Sequence, residues 1–261
     1  MTRPPRVLAS TTSHRREPLV PTLEVFGRLG LRDLDLNLHH LIEEGVAVSV
    51  VAESAATNGL TISVVSGGWC DFYTPPPEIE TTFASVARQV QICHALGVRV
   101  IRLFFGRLGY DDFSRAAFDR VTENLWRLSD AHPDVRFVFE NHDGASLHPD
   151  VCRDVLQRVG RPNIQMTFDP INFAKAGVDP LQALELVRPV VAHVHLKGLS
   201  RGEYCELGEG DVDLAPVLAS LLDGGYRGDF TVEYEGRSDG TIRLYRSVQR
   251  ARMALAARDV E

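Results

Sequence analysis

Lysine is almost missing from this chain. Of its 28 basic residues only Lys175 and Lys197 are lysines. Basic charge as a whole is outweighed by 35 acidic residues, for a formal net charge of −7. That balance excludes broad nonspecific binding to nucleic acid or to an anionic membrane, since both need a basic face. Cysteine is sparse, and Cys70, Cys93, Cys152 and Cys205 lie far apart, so no CxxC redox or zinc pair exists. In a reducing compartment they are expected as free thiols. No apolar run approaches the ~18 residues of a membrane span. The segment MTRPPRVLASTTSHRREPLV carries no apolar core of signal-peptide length. A soluble, cytoplasmic protein is expected, with no membrane and no nucleic-acid partner. The first strand candidate is not followed by GxGxxG, which removes the best reason to read a doubly wound dinucleotide-binding sheet.

What is present is alternation. With 44% hydrophobic and 24% charged residues, the 261-residue chain has the composition of an ordered globular protein rather than a disordered one. Short apolar, Val/Ile/Phe-rich runs occur at 6–10, 31–38, 60–66, 98–105, 135–141, 163–169, 190–197 and 229–235, as buried strands require. Between them lie stretches of helical period, clearest at 79–97, 113–131 and 214–225. Gly30, Gly59, Gly97 and Gly225 stand just before strands, where helix C-caps belong. Asp71–Pro77 reads as a proline-rich loop. Eight strand–helix units in about 250 residues predict an α/β fold, a single (β/α)8 TIM barrel forming one domain over residues 1–261.

The polar residues within the strands follow a period of two. Apolar Ile164, Met166 and Phe168 alternate with Gln165, Thr167 and Asp169. Ala192, Val194 and Leu196 alternate with His193, His195 and Lys197. Phe230, Val232 and Tyr234 alternate with Thr231, Glu233 and Glu235, and Phe137 and Phe139 with Val138, Glu140 and His142. Four consecutive strands thereby aim ionisable groups inward near their C-terminal ends, where barrel enzymes work. Burying Glu140, Asp169 and Glu233 together is costly without a counter-charge. Three carboxylates with one imidazole suit one divalent ion: Mn, Mg, Co, Fe or Zn. His195 lies nearer the catalytic end than His193 and is the better ligand; His193 is expected deeper, hydrogen-bonded within the barrel.

The motifs FENHDG (139–144), TFDPIN (167–172), HVHLKG (193–198), LGEGDVD (207–213) and TVEYEG (231–236) resemble the xylose-isomerase-like TIM-barrel superfamily. The likeness is greatest to its sugar phosphate isomerase/epimerase group, with the inosose isomerases, ketose 3-epimerases and hydroxypyruvate isomerases. It spans essentially the whole chain and is most specific from Val135 to Gly236. The resemblance implies one metal held by Glu140, Asp169, His195 and Glu233. It implies an isomerase or epimerase acting on a ketose, keto-inositol or related hydroxy-ketone through a metal-bound enediolate, with Glu140 and Glu233 as paired acid/bases. His142 and Lys197 would hold substrate hydroxyls or stabilise developing charge; Lys197 could equally neutralise the carboxylates. Asn172 stands where family members often carry histidine, and can hydrogen-bond a hydroxyl.

Arg102 and Arg107 could bind a phosphate or carboxylate or lie on the surface. Trp69 could wall a sugar site or pack in the core. Asp211 could be the acid that starts the next helix. A lyase, either a dehydratase or a keto-glycoside-eliminating enzyme, shares the same proton-abstraction machinery. An endonuclease IV-like hydrolase is the weaker alternative, because the third and fourth strand ends lack histidine. The resemblance implies a small carbohydrate-like molecule as the partner. Its identity and phosphorylation stay open, as does assembly into a homodimer or homotetramer.

Overall fold

The computed structural model describes residues 5–237 and 240–257. In chain order its strands are β1 (Val7–Ser10), β2 (Asp33–Asn37), β3 (Thr61–Ser66), β4 (Val100–Phe104), β5 (Arg136–Glu140), β6 (Ile164–Phe168), β7 (Val191–Leu196), β8 (Gly198–Ser200), β9 (Glu203–Cys205) and β10 (Phe230–Val232). The helices are α1 (Leu19–Arg28), α2 (Leu38–Glu44), α3 (Val48–Thr57), α4 (Ile79–Ala95), α5 (Arg115–Ala131), α6 (Pro149–Val159), α7 (Pro170–Lys175), α8 (Pro180–Val187), α9 (Ala215–Asp223) and α10 (Gly240–Ala256). Eight strands close into one barrel in the order β1-β10-β7-β6-β5-β4-β3-β2, and β8 and β9 form a separate two-stranded antiparallel ribbon. The fold is thus the expected (β/α)8 barrel. The β8–β9 ribbon was not foreseen, because three-residue strands are too short to show a period.

The strand ends carry the inward polar groups: β5 ends on Glu140, and β7 includes His193 and His195. β10 stops at Val232, one residue before Glu233. The predicted C-capping glycines hold: Gly30, Gly59, Gly97 and Gly225 all have positive φ, between 64° and 84°, which a residue without Cβ adopts at no steric cost. Helix α5 shows how an element is set from sequence. Ser114 caps it by accepting from the Ala117 N–H, and Val121, Leu125 and Leu128 recur on its buried face. Among the described residues no helix is long and apolar enough to cross a membrane.

Contacts along the chain group into two compact units: residues through Val65 together with those from His193 onward, and Ser66–Ala192. In the second unit, β4, β5 and β6 run in parallel register, with Phe104 opposite Glu140 and Glu140 opposite Thr167. Phe72, Phe105 and Phe139 pack there at ring separations of 5.0 to 5.4 Å. In the first unit, β1 lies between β2 and β10, and β10 pairs with β7 so that Thr231 faces His195 and Val232 faces Leu196. Arg6 ties the start of β1 to Asp33 and Asp229, below the opposite strand ends.

Candidate metal centre

Within Ser66–Ala192 the arrangement centres on Glu140, the last residue of β5, which is 2% exposed. Arg102 brings its Nε to 3.2 Å from Oε2. Asn172 donates from Nδ2 to Oε1 at 3.0 Å. Asn172 therefore orients one oxygen by a hydrogen bond, and Arg102 sets a cation beside the other. Asn172 can do this because it sits in the first turn of α7, which starts where it does for a local reason. Asp169 Oδ1 accepts from the Ile171 and Asn172 N–H groups at 2.8 and 3.0 Å, while Pro170 needs no acceptor for a missing N–H. Asp169 is in turn locked by Asn141. The Asn141 amide donates to the Asp169 carbonyl and accepts from its N–H, both at 2.8 Å. Asn141 was overlooked in the sequence, where it is one more polar residue at the end of the 135–141 run. Its buried reciprocal pairing holds the ends of β5 and β6 in step.

Arg102 is buried rather than on the surface, and its guanidinium lies 4.2 Å from the Phe104 ring centre. Phe104 organises an aromatic patch that alternation alone did not reveal. Trp69 stacks on it at 4.9 Å and His142 tilts against it at 4.7 Å. Trp69 is 39% exposed and so is not a core residue. The Arg107 guanidinium lies 4.0 Å from the indole centre, so a ring stacking on that face must displace it. Arg107 is 70% exposed and pairs with Asp143 at 3.7 Å. His142 Nδ1 pairs with Asp143 Oδ2 at 3.0 Å, which fixes the imidazole's orientation.

In the other unit the arrangement centres on Glu233 and His195. Glu233 Oε2 lies 3.4 Å from His195 Nδ1 and 3.2 Å from Lys197 Nζ. Its Oε1 accepts from the Ser10 hydroxyl at 3.3 Å. Lys197, 1% exposed, donates also to Glu235 Oε1 at 2.8 Å, and Arg15 flanks the same carboxylate at 3.4 Å. The carboxylate-neutralising contact considered for Lys197 is thus present. His193 is buried and its Nε2 meets the Thr231 hydroxyl at 2.8 Å, the deeper hydrogen-bonded position expected for it. Asp35, on β2, was missed. It is fully buried, 3.6 Å from His195 Nε2. Burial pushes its carboxyl up, but His195 and His193 alongside hold it below the ordinary carboxylate value. In LRDLDLNL nothing separated it from Asp33, which pairs with Arg6 instead.

The post-β7 loop differs from expectation. Asp211 does not start a helix; it accepts from the Arg201 N–H at 2.7 Å and from the Ser200 hydroxyl, closing the β8–β9 turn. The acid at the head of α9 is Asp213, whose Oδ1 accepts from the Ala215 N–H at 2.9 Å. The loop is pinned to α10 by Glu206, a buried carboxylate 2.9 Å from Arg250 and 3.2 Å from Arg243.

A parallel eight-stranded barrel with buried carboxylates and imidazoles at its strand ends defines a class of TIM-barrel enzymes. Comparison places the chain within it: the chain belongs to the family described as xylose isomerase-like TIM barrel, which matches residues 28–258. It is 22% identical over 205 residues to an inosose dehydratase of Lacticaseibacillus casei, a match covering 66% of this chain and 69% of that protein. Among solved structures it resembles a probable 3-DHS dehydratase from Bacillus anthracis, with TM-score 0.79 and 17% identity over 95% of this chain and 98% of the other. It also resembles a 3-keto-D-glucoside 4-epimerase from E. coli, with TM-score 0.76 and 15% identity over 95% and 99%.

Proposed function

We propose that the chain is a divalent-metal-dependent enzyme that moves a proton beside the carbonyl of a ketose, keto-inositol or related hydroxy-ketone, as an isomerase or epimerase. The observation that carries this reading is one donor set. Glu140 and Asp169 in Ser66–Ala192, and His195 and Glu233 in the other unit, are all buried and are the residues that could together hold one metal ion. Buried carboxylates need compensating cations, and a divalent ion would add to what Arg102 and Lys197 supply. The donor set, three carboxylate oxygens and one imidazole, fits Mn²⁺, Mg²⁺, Co²⁺, Fe²⁺ or Zn²⁺. When bound, such an ion supplies Lewis acidity that makes the C–H next to a carbonyl easier to deprotonate.

The chain's own groups do the rest. Glu140 and Glu233 take and return the proton as the acid/base pair. Arg102 and Asn172 hold the Glu140 carboxylate in one orientation, and Lys197 with Ser10 does so for Glu233. Trp69, Phe104 and His142 supply an amphipathic wall for a hydroxylated ring. The same machinery eliminates water where a hydroxyl sits β to the carbanion. That second reading is favoured by relatives named inosose dehydratase. A cytoplasmic, single-domain protein over residues 1–261 belongs to the same proposal.

The test incubates the protein with Mn²⁺ and a panel of ketoses and keto-inositols in D2O and follows the products by NMR. Deuterium gain with the substrate formula retained supports isomerisation or epimerisation. Loss of water identifies the dehydratase. Glu140→Gln and Glu233→Gln should each slow exchange by about 10²–10⁴-fold. Full turnover in both variants would refute the assignment.

A further inference from the structure

On the inner side of His195, a second group also resembles a metal site. Asp35, His193 and His195 are all buried, and their potential ligand atoms lie within 4.8 Å of one another. The polarity of the hydrogen bonds argues against a cation there. The Thr231 hydroxyl has one proton, and it donates to Asp35 Oδ2 at 3.1 Å. Toward His193 Nε2, 2.8 Å away, the same oxygen can then only accept, so His193 carries a proton on Nε2. A cation on that nitrogen would have to displace both the proton and the hydroxyl. Asp35 Oδ1 has no hydrogen-bond partner among the described residues, so compensation of this buried carboxylate falls on Thr231 and the two imidazoles.

The relay continues to His195. Asp35 Oδ2 lies 3.6 Å from His195 Nε2, beyond hydrogen-bond distance, so it acts by charge: a carboxylate there favours the His195 tautomer with its proton on Nε2. The lone pair then rests on Nδ1, the nitrogen 3.4 Å from Glu233 Oε2. We propose that Asp35, Thr231 and His193 form a buried proton-ordering relay that binds no cation itself and presents His195 through Nδ1 to the cation of the site described above. The proposal rests on the metal reading only for its final step. Histidine ligands are commonly oriented this way, by a carboxylate on the other ring nitrogen. Asp35 and Thr231 are positioning residues: they touch His195 and His193, not the substrate.

The experiment has two readouts. Elemental analysis and calorimetric titration with Co²⁺ count and weigh the ions, with the Co²⁺ absorption spectrum reporting ligand geometry. Histidine-selective ¹⁵N NMR of the metal-free protein reports the tautomer of His195 directly. One ion per chain is expected in the wild type. In Asp35→Asn the stoichiometry stays at one, affinity falls by about 10–100-fold and the spectrum shifts. His195 is expected protonated at Nε2 in the wild type and as a tautomer mixture in Asp35→Asn. Thr231→Val should weaken Co²⁺ binding, and Thr231→Ser, which keeps the hydroxyl, should restore it.

Two ions in the wild type, with one lost in Asp35→Asn, would overturn the proposal in favour of a dinuclear centre. Unchanged affinity and tautomer in Asp35→Asn would overturn it too. No ion at all would refute the metal reading, while the His195 tautomer would still decide the relay.

Discussion

The pairing of Arg102 with Glu140 is open to a quantitative test. The guanidinium and the carboxylate are 5% and 2% exposed and 3.2 Å apart. Replacing Arg102 with Leu keeps much of the volume but strips Glu140 of its cation. Removing one partner of a buried pair costs about 3–5 kcal/mol, because the survivor is left charged and poorly solvated. In a chain of this size each kcal/mol moves the melting midpoint by about 2–4 °C. Arg102→Leu in metal-free protein should therefore melt roughly 6–20 °C lower.

The diagnostic is the double variant. In Arg102→Leu/Glu140→Gln no unpaired charge remains, so the two losses should fall short of additivity by about 2–3 kcal/mol, within the range seen for directly contacting residues. Urea unfolding followed by circular dichroism on the four proteins of the cycle measures it. Additivity within ~0.5 kcal/mol would mean that Arg102 and Glu140 are not energetically coupled. The account of how Glu140 is held would then fail.

Other outcomes follow from the same geometry. Glu206→Gln should cost less than Arg102→Leu, about 1–3 kcal/mol in urea unfolding, because its partners Arg243 and Arg250 are 35% and 41% exposed and can rehydrate. Gly144 has φ of +56°, and a Cβ there would overlap the Leu108 carbonyl, so Gly144→Ala should destabilise by about 1–3 kcal/mol and lower the melting temperature. Thiol labelling at pH 8 should modify Cys205 alone in the folded protein and all four cysteines after denaturation. Burial raises the Cys70 and Cys93 thiols to about 12 and pushes Cys152 up as well, while Cys205 is only part-buried. Rapid modification of two or more native thiols would contradict this packing.

Much of the architecture was legible because it rests on short-range periodicity. Alternation along 163–169, 190–197 and 229–235 told which residues share a face, and glycine before a strand marked where helices end. A strand's period is fixed by backbone geometry, so Glu140, Asp169, His195 and Glu233 could be named as strand-end groups from the chain alone. Partnerships between strands were not legible, because no local rule relates residues far apart in the chain. Arg102 read as an anion-binding or a surface residue until β4 set it beside β5, against Glu140. Asn141 closed the 135–141 run with no assigned role, yet it locks Asp169. Asp33 and Asp35 share a face and a side-chain type; the register of β1 with β2 sends one to Arg6 and the other beneath His195. Sequence by itself determined the elements, their inward faces and the residue types gathered at the strand ends. Only the tertiary structure decided which of those residues meet, because hydrogen-bond polarity and ion pairing depend on distances that the order of residues does not contain.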